Sequence, residues 1–245
     1  MSKNQTIHIG TSGWHYQHWR GLFYPQDILN SKLLEFYAHH FDTAEINNTF
    51  YQLPSEKTLA HWRDTVPDDF IFPLKASQYI THRKKLKDGD ITLPKFLDRS
   101  KILGAKLGPI LFQLPPHWSA NPERLRNFLQ HLPDDNKYAF EFRDPSWFIK
   151  EVTELLEDKR ASFCMYHLAG QESPHTLTSD MVYIRLHGPG DAYQGSYDDD
   201  TLNRWAGEIK EWANNGREIY CYFDNDEAGY AVHDAMRLKA MIGYD

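Results

Sequence analysis

Eight short apolar runs recur along the 245-residue chain, and helix-like patterns separate nearly all of them. The runs lie at 7–13, 43–51, 70–77, 108–115, 138–144, 161–168, 181–188 and 218–225. The helical patterns fall at 31–40, 55–65, 94–104, 121–132, 147–158, 200–215 and 229–241. Two carry clear start signals, Ser55-Glu56-Lys57 after Pro54 and Asn121-Pro122-Glu123. Strict alternation of this kind makes successive strands parallel, because a helical crossover returns the chain to the same end of the sheet. Eight units predict an α/β fold in one domain over residues 1–245, a (β/α)8 TIM-type barrel. A doubly wound open sheet is the competing architecture. The sixth connection, AGQESPHTLTSD at 169–180, is too short and broken for a full helix, so that crossover is expected to be shortened.

Strand parity separates two kinds of face. In YAFEFRD (138–144), Phe140 and Phe142 share one face while Ala139, Glu141 and Arg143 share the other. The same alternation sets Val182, Ile184 and Leu186 against Tyr183, Arg185 and His187. Glu45, Asn47, Thr49 and Tyr51 align, Lys75 stands with Pro73 and Ser77, Gln113 with Leu111 and Pro115, and Asn225 with Cys221 and Phe223. The apolar faces must meet helices, which turns the polar set inward and toward the C-terminal strand ends, where barrels build their sites. A buried ion-pair lattice is the bland explanation. It explains little, because well-packed apolar residues are often at least as stabilising as buried pairs. A functional site is the better reading of charge gathered from six strands.

Arg143, Arg185 and Lys75 beside carboxylates predict a pocket for a small anionic ligand, phosphorylated or sugar-like. Glu45 or Glu141 is the expected general base and His187 a proton shuttle. Lys75 suits a Schiff base only with a lowered pKa. A glycosidase-like carboxylate pair is conceivable. Neighbouring cations would repel a metal ion, so the expected chemistry needs neither metal nor redox cofactor: a hydrolase, lyase or isomerase. The loop GWHYQHWRGLFYP (13–25) places Trp14 as a wall of the pocket, while Trp19, Phe23 and Tyr24 read as packing. GPGDAYQGSY (188–197) has the position of a barrel phosphate loop but no named spacing; Tyr193 and Tyr197 are lid candidates. With Asn47, Tyr51, Gln113 and Asn225 these residues form the expected binding set. The charged run HRKKLKDGD (82–90) reads as a solvated loop.

Composition narrows the class. A net charge of −7 disfavours a nucleic-acid surface while leaving room for a local anion site. Two cysteines without metal-like spacing indicate neither a disulfide framework nor zinc. No membrane-length apolar run or signal-like segment is present in the sequence, and a cytoplasmic protein is expected. A non-catalytic metabolite- or nucleic-acid-binding barrel is the alternative.

IGTSGW (9–14), FYP (23–25), EINNTFY (45–51), FPLKAS (72–77), LFQLPP (111–116), FEFRDPSW (140–147), YIRLHG (183–188) and YFDND…GYAV (222–232) together resemble the YecE-like family, or domain of unknown function 72. The resemblance spans nearly the whole chain in order and implies a (β/α)8-type barrel, with no established activity. It places the family's polar pattern on Glu45, Asn47, Lys75, Gln113, Glu141, Arg143, Arg185, His187 and Asn225. Asp224 departs from it, where Asn is common in that family.

Overall fold

The apolar runs with period-two alternation become parallel strands, and the amphipathic patterns between them become helices. The computed structural model describes residues 7–243. In chain order the elements are β1 Ile7–Thr11, α1 Leu33–Tyr37, α2 Glu56–Thr65, β2 Phe72–Lys75, α3 Gly89–Thr92, α4 Pro94–Ser100, β3 Leu107–Gln113, α5 Pro122–Gln130 and β4 Tyr138–Glu141. There follow α6 Lys150–Lys159, β5 Ser162–Leu168, β6 Gln171–Glu172, β7 Met181–Leu186, α7 Asp199–Asn214, β8 Glu218–Phe223 and α8 Tyr230–Ile242. Contacts group the chain into two units, and β5 begins in the second and ends in the first. The result is an α/β fold built on parallel strands.

The first unit holds the chain through Ala44, Met165–His175 and the stretch from Asp180 onward. Its strand order is β1-β8-β7-β5. The ladder runs in parallel from Ile7↔Ile219 to Thr11↔Phe223 and from Met181↔Glu218 to Leu186↔Phe223. Every residue of β7 is buried, so its Val/Ile/Leu face meets helices while Arg185 is enclosed on the other. The aromatic loop after β1 packs as expected: Trp19 and Tyr24 are buried, and Trp19 stacks toward Tyr37 at 6.5 Å.

The second unit holds Glu45–Cys164 and Thr176–Ser179. Here β2, β3, β4 and the start of β5 pair side by side in parallel. Helix starts follow the sequence signals. Ser55 Oγ accepts from the Thr58 N–H at 3.1 Å, and Asn121 Oδ1 accepts from the Arg124 N–H at 2.9 Å ahead of Pro122.

Three segments depart from the sequence expectation, and a fourth, the shortened connection at 169–180, keeps to it. The run at 43–51 keeps only a bridge between Ile46 and Leu74; Asn48–Phe50 turns into a 3-10 helix. One side chain accounts for it: the Thr49 hydroxyl shares its proton between the carbonyls of Ile46 (2.8 Å) and Lys75 (2.6 Å). The expected helix at 94–104 ends at Ser100 and gives way to 3-10 geometry, with Gly104 at φ +58°. The charged run at 82–90 is partly structured, since Tyr79–Arg83 forms a π-helical turn and Gly89 opens α3. The 169–180 connection has no helix; β6 folds back antiparallel on β5. Among the described residues no helix is long and apolar enough to cross a membrane.

Candidate functional site

The register of the second unit puts three of the expected residues on one face. Lys75 pairs with Leu111, and Gln113 with Glu141, so Lys75, Gln113 and Glu141 project the same way from the ends of β2, β3 and β4. Glu141 is fully buried, and its Oε1 accepts from Arg143 Nε, with Cys164 Sγ 4.0 Å from Oε2. A buried carboxylate so close to a guanidinium stays in reach of a charge-assisted bond on its own strand. Gln113 Nε2 donates to the Leu114 carbonyl at 2.8 Å. Glu45 is fully buried, and Asn47 half-buried, on either side of the Ile46 bridge. Tyr51 lies beyond the 3-10 turn, 75% exposed, with its ring edge-on to Phe50.

One residue the sequence reading left in a solvated loop joins this group. The Lys75 ammonium sits 4.6 Å from the Phe50 ring centroid, and Phe50 meets the His82 imidazole edge-on at 4.9 Å. His82 is held below the ordinary histidine range, first by burial, then by the positive charges of Lys75 and Arg143. Lys75 and Arg143 therefore both act on His82, with Glu141 paired to Arg143 beside them.

The first unit gathers a different set at the C-terminal ends of β1, β7 and β8. Arg185 is fully buried; its Nη2 donates to Ser12 Oγ at 3.1 Å and lies 3.5 Å from Asp224 Oδ2. His187, also fully buried, sits with Nδ1 3.1 Å from Asp224 Oδ2 and Nε2 3.3 Å from Arg185 Nη1. Asp224 thus orients an imidazole and balances a guanidinium. Trp14 is buried, and its carbonyl accepts from the Tyr24 hydroxyl at 2.6 Å. Tyr193 is 48% exposed and meets His187 edge-on at 5.4 Å. Tyr197 is no lid: it is buried, its phenolic oxygen accepts the Gly188 N–H at 2.9 Å, and burial raises its pKa.

Parity in β8 needs a correction. Cys221 and Phe223 pair with Ile184 and Leu186, so that face is the apolar one, and Arg185 shares its face with Tyr222. Asn225 continues the Cys221 face; its Nδ2 donates to Asp234 Oδ2 on α8 at 2.8 Å and to the Gly195 carbonyl at 2.8 Å. The residue meeting Arg185 is Asp224, the position that departs from the resembled pattern.

Tyr16, Tyr193, Gln194, Asp224, Asp226 and Glu227 line a cleft of about 420 Å³ in this unit. Asp226 Oδ1 accepts from Trp19 Nε1 at 2.7 Å, and its Oδ2 is 3.0 Å from His18 Nε2. Burial pushes the Asp226 carboxyl up to about 6, against the pull of the Trp19 bond and of His18.

Residues 8–245 match the family described as Protein of unknown function DUF72. The UPF0759 protein YecE of Escherichia coli is 33% identical over 149 residues, 60% of this chain and 52% of YecE, so the chain spans about half of that relative. The UPF0759 protein YunF of Bacillus subtilis is 23% identical over 96% of this chain and 94% of its own. A DUF72 family protein from Thermotoga maritima superposes with a TM-score of 0.88 at 25% identity, covering 97% of this chain and 99% of that one. A DUF72 family protein from Enterococcus faecalis shares the fold at TM-score 0.82 and 18% identity, over 98% of this chain and 99% of that one. With the match running through both sets of residues, the chain belongs to the DUF72 family.

Proposed function

We propose that the protein binds a small anionic ligand, phosphorylated or sugar-like, and acts on it by acid–base chemistry without a metal. One observation carries this reading: Lys75 and Arg143 bear on the same imidazole, His82, and their charges add to the burial that lowers its pKa. Two cations gathered about a half-buried ring suit an anion better than a cation. A neutral His82 accepts a proton, and Glu141 beneath Arg143 is the carboxylate base. An arriving anion competes with Glu141 for the Arg143 guanidinium, which makes the carboxylate more basic as the ligand binds.

Calorimetric titration with inorganic phosphate and glucose 6-phosphate tests it. Lys75→Ala and Arg143→Ala are each expected to weaken binding about tenfold or more, the size of a lost charge-assisted bond. Affinity equal to the parent's in both variants would sink the assignment. We read the eight-unit alternation as a single (β/α)8 barrel and the protein as cytoplasmic, the latter supported by two buried cysteines, Cys164 and Cys221, that form no disulfide. An experimental map with an open sheet edge would overturn the barrel.

A further inference from the structure

The cleft of the first unit presents a chemistry opposite to that of the Lys75–Arg143 neighbourhood. Its walls include two tyrosines, an amide and three carboxylates. Its field is weaker than that count implies. Asp224 is balanced by the buried Arg185 and oriented on His187. Asp226 faces His18, with Trp19 on its other oxygen and Asp224 and Glu227 nearby, and burial raises its carboxyl to about 6. What remains is a set of fixed acceptors beside aromatic rings, with no lysine or arginine among the lining residues. The Asp226 side chain is only 10% exposed, and its Oδ2 makes no well-aligned hydrogen bond. A buried acceptor of this kind is costly unless a donor completes it. A phosphate would meet the exposed Glu227 carboxylate with no lysine or arginine in the lining to hold it. A simple cation would find the strongest carboxylates already balanced. Vicinal hydroxyls, each a donor and an acceptor, match carboxylate and amide oxygens, while a sugar ring's C–H face packs on tyrosine. The volume lies within the range of small-molecule sites.

We propose that this cleft is a binding site for a neutral, hydroxyl-rich ligand of the sugar class, separate in chemistry from the anion-binding residues of the second unit. Tyr193, exposed and edge-on to His187, is the stacking platform. Asp224 and the Asp226–His18 pair receive the hydroxyls.

Saturation-transfer NMR at pH 6 with D-glucose, D-galactose, D-xylose and glucose 6-phosphate decides it. At least one neutral sugar is expected to receive saturation, with ring protons strongest, and Tyr193→Ala is expected to weaken its binding about fivefold or more. Asp226→Asn keeps the acceptor for Trp19 and is expected to stay folded, with a Tm at pH 7 no lower than the parent's; it weakens the same sugar. No transfer to any of the three neutral sugars would overturn the proposal. So would sugar binding that both variants leave unchanged. Stronger binding of glucose 6-phosphate than of glucose that survives in Lys75→Ala would overturn it as well.

Discussion

An Asp234→Ala variant is expected to lose about 3–5 kcal/mol of unfolding free energy, the scale for breaking a buried charged network from one side. Asp234 on α8 is fully buried. It accepts from Ser196 Oγ at 2.8 Å, the Tyr197 N–H at 2.9 Å, Asn225 Nδ2 at 2.8 Å and Arg237 Nη1 at 2.8 Å. One carboxylate therefore fastens the loop after β7, the end of β8 and the helix that follows. Removing it strands one N–H of the Asn225 amide and the Tyr197 N–H away from water, and each unsatisfied group adds a penalty of its own. Ser196→Ala removes one neutral donor and should cost only about 1 kcal/mol. Urea midpoints at constant m-value measure both. Equal, small losses in the two variants would show that the carboxylate is not the fastening point.

Gly188→Ala carries the other large effect. Gly188 has φ +122°, and a Cβ there would stand 2.4 Å from the Gln194 carbonyl oxygen and 2.8 Å from that of Asp191. Backbone strain and crowding add up to roughly 2–5 kcal/mol. The loop has little freedom to give way. Tyr197 holds the Gly188 N–H, and the Tyr193 N–H donates to the His187 carbonyl at 2.5 Å. The variant should unfold at lower temperature, and the displaced Tyr193 should also blunt the response to neutral sugars. A thermal midpoint matching the parent's would refute this account of the loop.

Strand positions were legible where apolar residues alternate and the partner strand is parallel, as in β7 and β8. They were illegible where one side chain rewrites the backbone. Thr49 does so by bonding Ile46 and Lys75, which ends the second run early and carries Tyr51 out to solvent. The faces of β3 and β4 followed from parity, and Lys75, Gln113 and Glu141 emerged together. In β8 the same rule was started from the wrong residue. Cys221 and Phe223 are as apolar as Tyr220 and Tyr222, so hydropathy could not say which pair faces inward, and Asn225 was preferred to Asp224. His82 escaped notice because HRKKLKDGD is a charge run, and nothing local reveals that its first residue lies against Phe50. Asp226 had a faint signal, an acidic residue two past Asp224, but its raised carboxyl depends on burial, against the Trp19 bond.

The division of the chain bears on how the protein is made. Nearly all of the second unit is one uninterrupted stretch, Glu45–Cys164, with only Thr176–Ser179 arriving later. The first unit is discontinuous, and β1 finds its β8 partners, Ile7 with Ile219 onward, only after about 210 more residues are polymerised. At cellular elongation rates of about 5–20 residues per second, β1 waits roughly 10–40 s for β8 to emerge. Throughout that interval Ile7 and Ile9, buried in the finished protein, lack their final neighbours on that side. The second unit can close its own ladder while the ribosome is still working. Vectorial synthesis therefore favours the Lys75–Arg143 neighbourhood as the earlier to form, and leaves nascent β1 as the strand that waits longest for its partner.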